Sequence, residues 1–216
     1  MKVLVPKTSL RLILSWTQRA FFAGAALMLG YGAFVLADSW MFQHRQMQTL
    51  ARLRTAASAA SAASPKASAS PAKLVKVSAS LPPATGPDGL IGRMEIQRLA
   101  LSVAVMEGTG AVTLRRAAGH IAGTALPGQT GNIGIAAHRD TFFRPLRNIQ
   151  RDDIITLTTL QGEYRYRVVS TKVVSPSDVA VLNPDGSEVL TLVTCYPFYF
   201  IGAAPDRFIV RAARIL

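Results

Sequence analysis

The second half of the chain, about residues 90–216, predicts a mostly β domain: a largely antiparallel β-barrel or sandwich with one or two short helices. Short runs rich in Val, Ile, Thr and Tyr recur there between turn residues, and no amphipathic helical pattern lasts more than about three turns. This pattern does not fit a Rossmann or TIM-barrel fold. The predicted strands are 92–98, 101–106, 132–137, 154–160, 164–174, 188–195 and 208–215.

Turn residues and short segments join these strands. Gln161-Gly162-Glu163 predicts a hairpin connection between two of them. Thr141–Ile149 and Pro176–Leu182 are predicted as short helical or turn segments. The catalytic or binding body is therefore expected to occupy residues 91–216 as one domain.

The first ninety residues differ in charge from the rest. They hold ten Lys and Arg against two Asp and Glu, whereas residues 91–216 hold fourteen against ten. The formal charge of +12 therefore lies mainly in the N-terminal part, where it suits the cytoplasmic side of a bilayer or another anionic surface. No zinc-finger spacing, Gly-rich phosphate loop or aromatic-rich basic strand accompanies it, so nucleic-acid binding is not predicted.

An uncharged stretch, Ala20–Ala37, is long enough to cross a bilayer as a helix, near the lower limit for a hydrocarbon core of ~30 Å. Trp16 and Trp40 lie near its two ends, as interfacial aromatic residues do. We predict that residues 1–19 form a basic cytoplasmic N-terminus and 20–37 a single-pass membrane anchor, with the remainder exported. A cleaved signal peptide is the alternative, although Leu36-Ala37-Asp38 is a poor cleavage site.

Residues 38–90 are predicted as a linker between the anchor and the domain. A short polar helix from Gln43 to about Thr55 continues outward from the anchor. Residues 56–89 are then dominated by Ala, Ser, Pro and Lys and carry few bulky apolar side chains. Such a segment buries too little apolar surface to offset the entropy of folding, so it is expected to be a semi-extended tether.

Three residues at predicted strand ends are candidates for chemistry. Cys195 is the single cysteine, so no internal disulfide is expected, and its thiol is either a small buried hydrophobe or a reactive group. It follows the apolar run 189–194 and precedes Tyr196-Pro197, which ends regular strand pairing. His138 ends another apolar run, and Arg207 begins the last strand. The three side chains converge if their strands are neighbours in a barrel.

The residues around these three resemble the sortase family. Thr191-Leu192-Val193-Thr194-Cys195, with Arg207 twelve residues later, matches the Thr-Leu-X-Thr-Cys signature of sortases. Residues 131–144, GNIGIAAHRDTFFR, resemble the sortase histidine segment, especially that of class D. Residues 190–210 are similar to the class D pattern almost throughout. The resemblance covers nearly all of 91–216 and none of the first ninety residues.

The departures from the family pattern are mild. Ala137 stands where Gly is usual before the histidine, and Gln97 and Ala122 stand where Pro is usual. None of them affects the three reactive side chains.

The resemblance implies an eight-stranded sortase-type β-barrel with short helices and a cysteine transpeptidase activity. Sortases cleave a sorting signal such as Leu-Pro-X-Thr-Gly or, in some class D groups, Leu-Pro-X-Thr-Ala after the Thr, hold the acyl group as a thioester, and transfer it to an amine. The implied partners are substrate proteins with a C-terminal sorting signal and an amine acceptor such as a cell-wall precursor or a pilin lysine. The catalytic domain is then extracytoplasmic, on a periplasmic or extracellular face.

The resemblance also implies residue roles. Cys195 is the nucleophile, His138 the acid and base, and Arg207 the stabiliser of the oxyanion and of substrate carbonyls. Backbone amides around Thr194 or Cys195 are expected to complete the oxyanion hole. No cofactor is expected, and no metal, because no His, Cys, Asp and Glu set has metal-ligand spacing.

Other residues have weaker interpretations. His120 is interpreted as a structural turn histidine, with a role at the substrate rim as the alternative. Asp140 and Asp206 either orient the reactive residues or are exposed loop carboxylates. Leu81–Gly86, LPPATG, resembles a sorting signal with one extra residue, and a Pro-rich linker explains it better than self-cleavage.

Two alternatives to a sortase remain open at this point. One is a tethered β-barrel that binds peptides without catalysis. The other is a plain cysteine hydrolase with the same residues, which differs only in whether water or an amine resolves the thioester.

Overall fold

The computed structural model describes residues 7–62, 85–184, 186–200 and 202–215. The chain divides into two compact units, residues 1–41 and 42–216. Helix α1, Lys7–Ala62, includes both the predicted anchor at 20–37 and the predicted polar helix at 43–55. It continues into the Ala/Ser-rich stretch, and residues 63–84 of that stretch lie outside the described residues.

The first unit consists of the N-terminal part of α1. Its apolar side chains are exposed, among them Phe21, Leu29 and Leu36. Among the described residues, α1 is the one helix that is long and apolar enough to cross a membrane, with a mean hydropathy of 1.9 in its most apolar window and none of that window buried. By length and composition it is consistent with a membrane anchor or a signal sequence.

The second unit contains a closed β-barrel of eight strands, so the barrel alternative is correct and the sandwich is not. Around the barrel the strand order is β1-β2-β3-β4-β7-β8-β6-β5, and β1 pairs with β5 to close it. The strands are β1 Leu90–Ile96, β2 Leu101–Glu107, β3 Ala118–His120, β4 Gly131–Ala136, β5 Ile154–Thr159, β6 Glu163–Val174, β7 Glu188–Tyr196 and β8 Asp206–Ile215.

All seven predicted strands are present, and the hairpin predicted at 161–163 joins β5 and β6. Strand β3 and a short helix α2, Ala111–Arg116, were not predicted. The segments predicted at 141–149 and 176–182 contain 3₁₀ turns at Arg144–Asn148 and Val179–Leu182, and two more 3₁₀ turns lie at Pro87–Gly89 and Gln97–Leu99.

Two of the strand pairs are parallel, β2 with β3 and β4 with β7, and the others are antiparallel. The barrel is therefore mixed, but six of its eight strand pairs are antiparallel, in agreement with the predicted largely antiparallel body. Parallel neighbours need a long connection between them, and the chain between β4 and β7 contains β5, β6 and two of the 3₁₀ turns.

Apolar side chains from alternate strand positions fill the barrel. On the three strands that matter for the site, the inward residues of the core cluster are Ile133, Ile135, Leu190, Leu192, Val210 and Ala212. Because successive side chains of a strand point to opposite faces, the residues between them point outward. The same alternation decides which candidate side chains reach the outer surface.

Within the second unit, the part of α1 from Phe42 onward packs against the outside of the barrel. Leu50, only 4% exposed, lies in a small apolar cluster with Leu90, Ala104, Met106 and Ala117. The side chain of Gln43 donates from Nε2 to the carbonyl of Arg116 and accepts from the amide of Ala104 at 2.8 Å. This contact satisfies a β2 amide that lies before the first residue paired with the short strand β3.

Candidate active site

Strands β4, β7 and β8 are consecutive around the barrel, and each carries one of the candidate residues at or near its end. Cys195 is the penultimate residue of β7, and Arg207 is the second residue of β8. The two are direct partners in the antiparallel β7–β8 pair. Directly opposed residues of such a pair have their Cα atoms roughly 4.5–5.5 Å apart, so the thiol and the guanidinium start from adjacent positions.

His138 lies on the other side of Cys195. Strand β4 runs parallel to β7, with Ala136 paired with Val193, and the amide of Ala137 donates to the carbonyl of Val193 at 3.3 Å. Continuing this register by two positions brings His138 level with Cys195. The order His138, Cys195, Arg207 therefore runs across three neighbouring strand ends.

The three side chains also belong to the same face. Leu192 and Val210 point into the barrel, so alternation points Cys195 and Arg207 outward. His138 is exposed, while Cys195 and Arg207 are half-buried. The thiol is thus not sealed in the core, and a peptide approaching from outside can meet all three groups.

Thr194 is oriented differently from its neighbour Cys195. Its side chain is 3% exposed, and its hydroxyl donates to the carbonyl of Ala137 at 2.8 Å. That carbonyl belongs to the residue immediately before His138. The Thr194 side chain therefore links β7 to the end of β4 beside the imidazole, while only its backbone remains available for the predicted oxyanion role.

Arg207 is only partly engaged by the protein. Its Nη1 donates to the carbonyl of Asp206 at 2.9 Å and to that of Ala204 at 3.4 Å. Within the described residues these are its hydrogen bonds, so Nη2 and Nε keep N–H groups that can face a substrate. Both acceptors are carbonyls, and the carboxylate of Asp206 does not contribute to holding the guanidinium.

Comparison with known proteins identifies the family. Residues 94–215 match the sortase domain family. The chain is 33% identical to Sortase D of Bacillus subtilis over 194 residues, which are 89% of this chain and 94% of that protein. The chain belongs to the sortase family. It is a cysteine transpeptidase of that family with an eight-stranded barrel and a long apolar N-terminal helix, as the resemblance in its sequence implied.

Solved sortase structures resemble this one in fold. A Clostridium perfringens Sortase D5 transpeptidase is 34% identical, with a TM-score of 0.54 over 58% of this chain and 79% of that one. Sortase C1 of Streptococcus agalactiae, in complex with MTSET, is 28% identical, with a TM-score of 0.57 over 61% and 72% of the two chains. Sortase A of Listeria monocytogenes, in sequence, is 29% identical over half of each chain.

A groove of this sortase is formed by residues of β6, β7, β8 and the 179–182 turn, and none of His138, Cys195 and Arg207 lines it. It has a volume of about 320 Å³ and is lined by Ser170, Lys172, Val181, Thr191, Ile209 and Arg211. The amide of Asn132 holds its wall, because Nδ2 donates to the carbonyls of Val181 and Asn183 at 3.0 and 3.3 Å. A larger groove, of about 430 Å³, is lined by residues of β1, β5 and β6, away from the thiol.

Gly134 is the point where two connections meet over β4. A Cβ atom at this position would lie 3.1 Å from the side chains of Ile121, Thr124 and Leu182. Glycine therefore lets the β3–β4 connection and the 179–182 turn approach the strand closely, beside the wall of the groove.

His120 is 3% exposed and makes hydrogen bonds on both sides of its ring. Its Nδ1 lies 3.1 Å from a carboxylate oxygen of Glu107, and its Nε2 lies 2.9 Å from the carbonyl of Ala125 and from the hydroxyl of Thr124. These contacts fix the turn that follows β3. The geometry agrees with the interpretation of a structural turn histidine.

The structure adds little to the predictions for the two aspartates, the LPPATG segment and metal binding. Asp140 is exposed and Asp206 is half-buried. LPPATG lies mostly outside the described residues. In the ranges that the structure describes, no three His, Cys, Asp or Glu side chains converge as metal ligands, and independence from metal stays a prediction.

Sequence reasoning missed the residue after His138. Arg139 is half-buried and donates to three backbone carbonyls of the loop that joins β7 to β8. Its acceptors are main-chain atoms, so no partner side chain in the sequence signals the contact. The adjacency to His138 was the one available signal.

Proposed function

We propose that the chain is a membrane-anchored sortase that cleaves a Leu-Pro-X-Thr-Gly or Leu-Pro-X-Thr-Ala sorting signal after the Thr and transfers the acyl group to an amine. The observation that carries the proposal is the row of His138, Cys195 and Arg207 on the outer face of β4, β7 and β8. The row combines a nucleophile, a proton carrier and a permanent cation around one point.

In the first half-reaction the Cys195 thiolate attacks the carbonyl carbon of the substrate Thr. The carbonyl oxygen becomes an oxyanion, which the free N–H groups of Arg207 stabilise. A protonated His138 donates its proton to the nitrogen of the departing residue, so the peptide bond breaks and a thioester on Cys195 remains.

In the second half-reaction the acceptor amine attacks the thioester carbonyl. Neutral His138 takes a proton from the attacking nitrogen, and Arg207 again stabilises the oxyanion. Collapse of this intermediate expels the Cys195 thiolate and leaves the substrate joined to the acceptor by an amide bond. The imidazole that has given its proton to the leaving nitrogen is neutral and can accept a proton from the attacking amine, so one histidine serves both steps.

The proposed location follows from α1. The most apolar part of this helix forms a single-pass anchor, the basic residues at the start of the chain remain on the cytoplasmic side, and the barrel lies outside the cytoplasm. The proposed partners are proteins with a C-terminal sorting signal and an amine on the cell envelope or on a pilin lysine.

The test uses the full-length chain purified in detergent. It is incubated with fluorogenic peptides containing Leu-Pro-X-Thr-Gly or Leu-Pro-X-Thr-Ala, with and without an added amine such as triglycine. Mass spectrometry should detect an acyl-enzyme whose mass corresponds to cleavage after Thr, and a peptide–amine product when the amine is present. Cys195→Ala should form neither.

The same experiment separates the alternatives. Binding of the peptides without cleavage, in both the wild type and Cys195→Ala, would identify a binding module. Cleavage that yields only the hydrolysed acid at saturating amine would identify a plain cysteine hydrolase.

A further inference from the structure

We propose that Arg139 is a positioning residue for the transpeptidation, because it holds the loop that follows Cys195 against the segment that follows His138. The loop joins β7 to β8 and is called the β7–β8 loop below; its described residues are 197–200 and 202–205. From Nη1, Arg139 donates to the carbonyl of Pro197 at 3.1 Å, and from Nη2 to the carbonyls of Phe200 at 2.7 Å and Gly202 at 2.9 Å. This inference rests on the function proposed above.

The three acceptors require an arginine. A guanidinium carries N–H groups on separate nitrogens in a fixed plane, whereas a lysine ammonium offers three N–H groups from one point. The carbonyls of residues 197, 200 and 202 belong to an irregular loop, in which that of Pro197 also accepts from the amide of Phe200 at 3.3 Å. A charged donor compensates them better than a neutral one would. The guanidinium carbon also lies 5.9 Å from the centre of the Phe200 ring, within range of a cation–π contact.

The contacts of Arg139 argue against a direct role at the substrate carbonyl. Two of its three hydrogen bonds use both N–H groups of Nη2, and the third uses one of Nη1. Arg207 differs, because its described bonds all come from Nη1. The two arginines therefore have different roles. Arg207 is available to the reacting atoms, and Arg139 acts by holding the loop.

The position of Arg139 along the chain explains why the loop matters. Arg139 is covalently next to His138, Pro197 is two residues after Cys195, and Gly202 is five residues before Arg207. One side chain thus connects the segments that carry all three reactive groups. Ordering a loop residue costs backbone entropy, and these hydrogen bonds offset part of that cost.

A second arginine makes a weaker contact with the tip of the same loop. Nη1 of Arg147 donates to the hydroxyl of Tyr199 at 3.0 Å, and its guanidinium lies 5.6 Å from the ring centre. Tyr199 is 78% exposed, so this pair competes with water. The loop therefore depends mainly on Arg139 and only slightly on Arg147.

The experiment compares Arg139→Ala and Arg139→Lys with Arg144→Ala in the full-length chain. Arg144 is an exposed arginine of the same segment and serves as the matched control. Displacement of reacting groups by about 1 Å can cost roughly 10²-fold in rate. We expect Arg139→Ala to lower kcat for peptide cleavage by about 10- to 100-fold with a smaller change in KM, Arg139→Lys to recover part of the loss, and Arg144→Ala to stay within about twofold of the wild type.

Limited chymotrypsin digestion of the native protein reports the loop itself. Release of the loop should speed cleavage after Tyr199 or Phe200 in Arg139→Ala but not in Arg144→Ala. Alkylation of Cys195 by a small uncharged reagent should keep its wild-type rate in Arg139→Ala, because the thiol stays on β7.

The outcomes distinguish this inference from the proposed function. An unchanged kcat in Arg139→Ala overturns the inference even if the loop is cut faster. A loss of kcat together with a lower Tm and faster cleavage throughout the barrel also overturns it, because the role is then merely structural. If instead the wild type cleaves no sorting peptide, or Cys195→Ala cleaves it equally well, the proposed function fails first.

Discussion

The barrel of the 42–216 unit has two outer regions that differ in whether another part of the chain covers them. Along β4, β7 and β8 the outward residues at the strand ends include His138, which is exposed, and Cys195 and Arg207, which are half-buried. Along β1 and β2 the chain covers the barrel with its own helix, through Gln43 and Leu50. In one region the surface carries the proposed catalytic residues, and in the other it is covered by the helix.

Substitutions in the two regions should affect different properties of the protein. Changes in the open region should alter turnover and leave the free energy of unfolding nearly unchanged. Changes in the covered region should lower the free energy of unfolding and leave turnover nearly unchanged. If a substitution in one region changed both turnover and the free energy of unfolding, the two regions would not be independent.

The largest expected effect comes from Arg207→Gln. Glutamine keeps a donor but loses the charge, and removal of one oxyanion donor typically costs roughly 10²–10³ in kcat. Steady-state cleavage of a sorting peptide measures this loss, and thermal unfolding should show Tm unchanged within about 1–2 °C. Arg165→Gln, at an exposed position of β6, is the control and should keep wild-type turnover. Equal activity of the two variants would remove Arg207 from the site.

The next effect concerns the covered region. Leu50→Ala deletes a side chain that is 4% exposed within an apolar cluster, and such deletions cost about 2–3 kcal/mol or more. Denaturant unfolding of the full chain in detergent should show the loss, while kcat stays within about twofold of the wild type. Val112→Ala, at a position 65% exposed in α2, should change stability little. A Leu50→Ala protein of wild-type stability would show that α1 does not support the barrel.

A smaller and pH-dependent effect is expected at Asp153. This carboxylate is 8% exposed and accepts hydrogen bonds from Nε and Nη2 of Arg98 and from the amide of Gln150. The Arg98 hydrogen bond holds the pKa of Asp153 below its ordinary value of 3.8, against the opposing effect of burial. A lowered folded-state pKa means that the stabilisation is complete above about pH 4 and disappears as the pH falls through the folded-state value.

Asp153→Asn tests this sign. The variant should be less stable than the wild type at pH 7, and the difference should shrink as the pH falls below about 4, because the wild type alone loses its ionised carboxylate there. Urea unfolding at a series of pH values measures it. A difference that grows toward acid pH would contradict the assignment.

Removal of metal ions is expected to have no effect on peptide cleavage. Addition of EDTA to the purified protein, followed by dialysis, should leave peptide cleavage unchanged, because no set of metal ligands was predicted from the sequence. Recovery of lost activity by added calcium or zinc would show that the prediction of metal independence is wrong.

Much of the fold was predictable because local patterns and the tertiary structure agree. The run before Cys195 is apolar and β-branched and forms β7, and the residues Tyr196-Pro197 come where that strand ends. Strand β3 was missed because three residues, Ala118–His120, are too few to show alternation. Helix α2 was missed because a six-residue helix gives almost no periodic signal.

The sequence indicated candidate residues for the site but not how they are arranged in the barrel. A single cysteine at a strand end and the family signature indicated Cys195, His138 and Arg207, yet no sequence pattern specifies that β7 lies between β4 and β8. Arg139 and Gln43 were missed for a shared reason: both bind backbone atoms, which every residue carries. A side chain that binds backbone atoms has no particular partner residue type that a reader of the sequence could look for.

The parallel pairing of β4 and β7 has a consequence for how this protein family diversifies. Because β4 and β7 run in the same direction, the imidazole and the thiol lie at the same end of the barrel. About fifty residues of chain connect the end of β4 to the start of β7. The loops of that segment can change in length or sequence with little effect on these two strand ends, whereas β5 and β6 are fixed because they close the barrel. New recognition surfaces can therefore be tried by insertion beside an unaltered chemical centre.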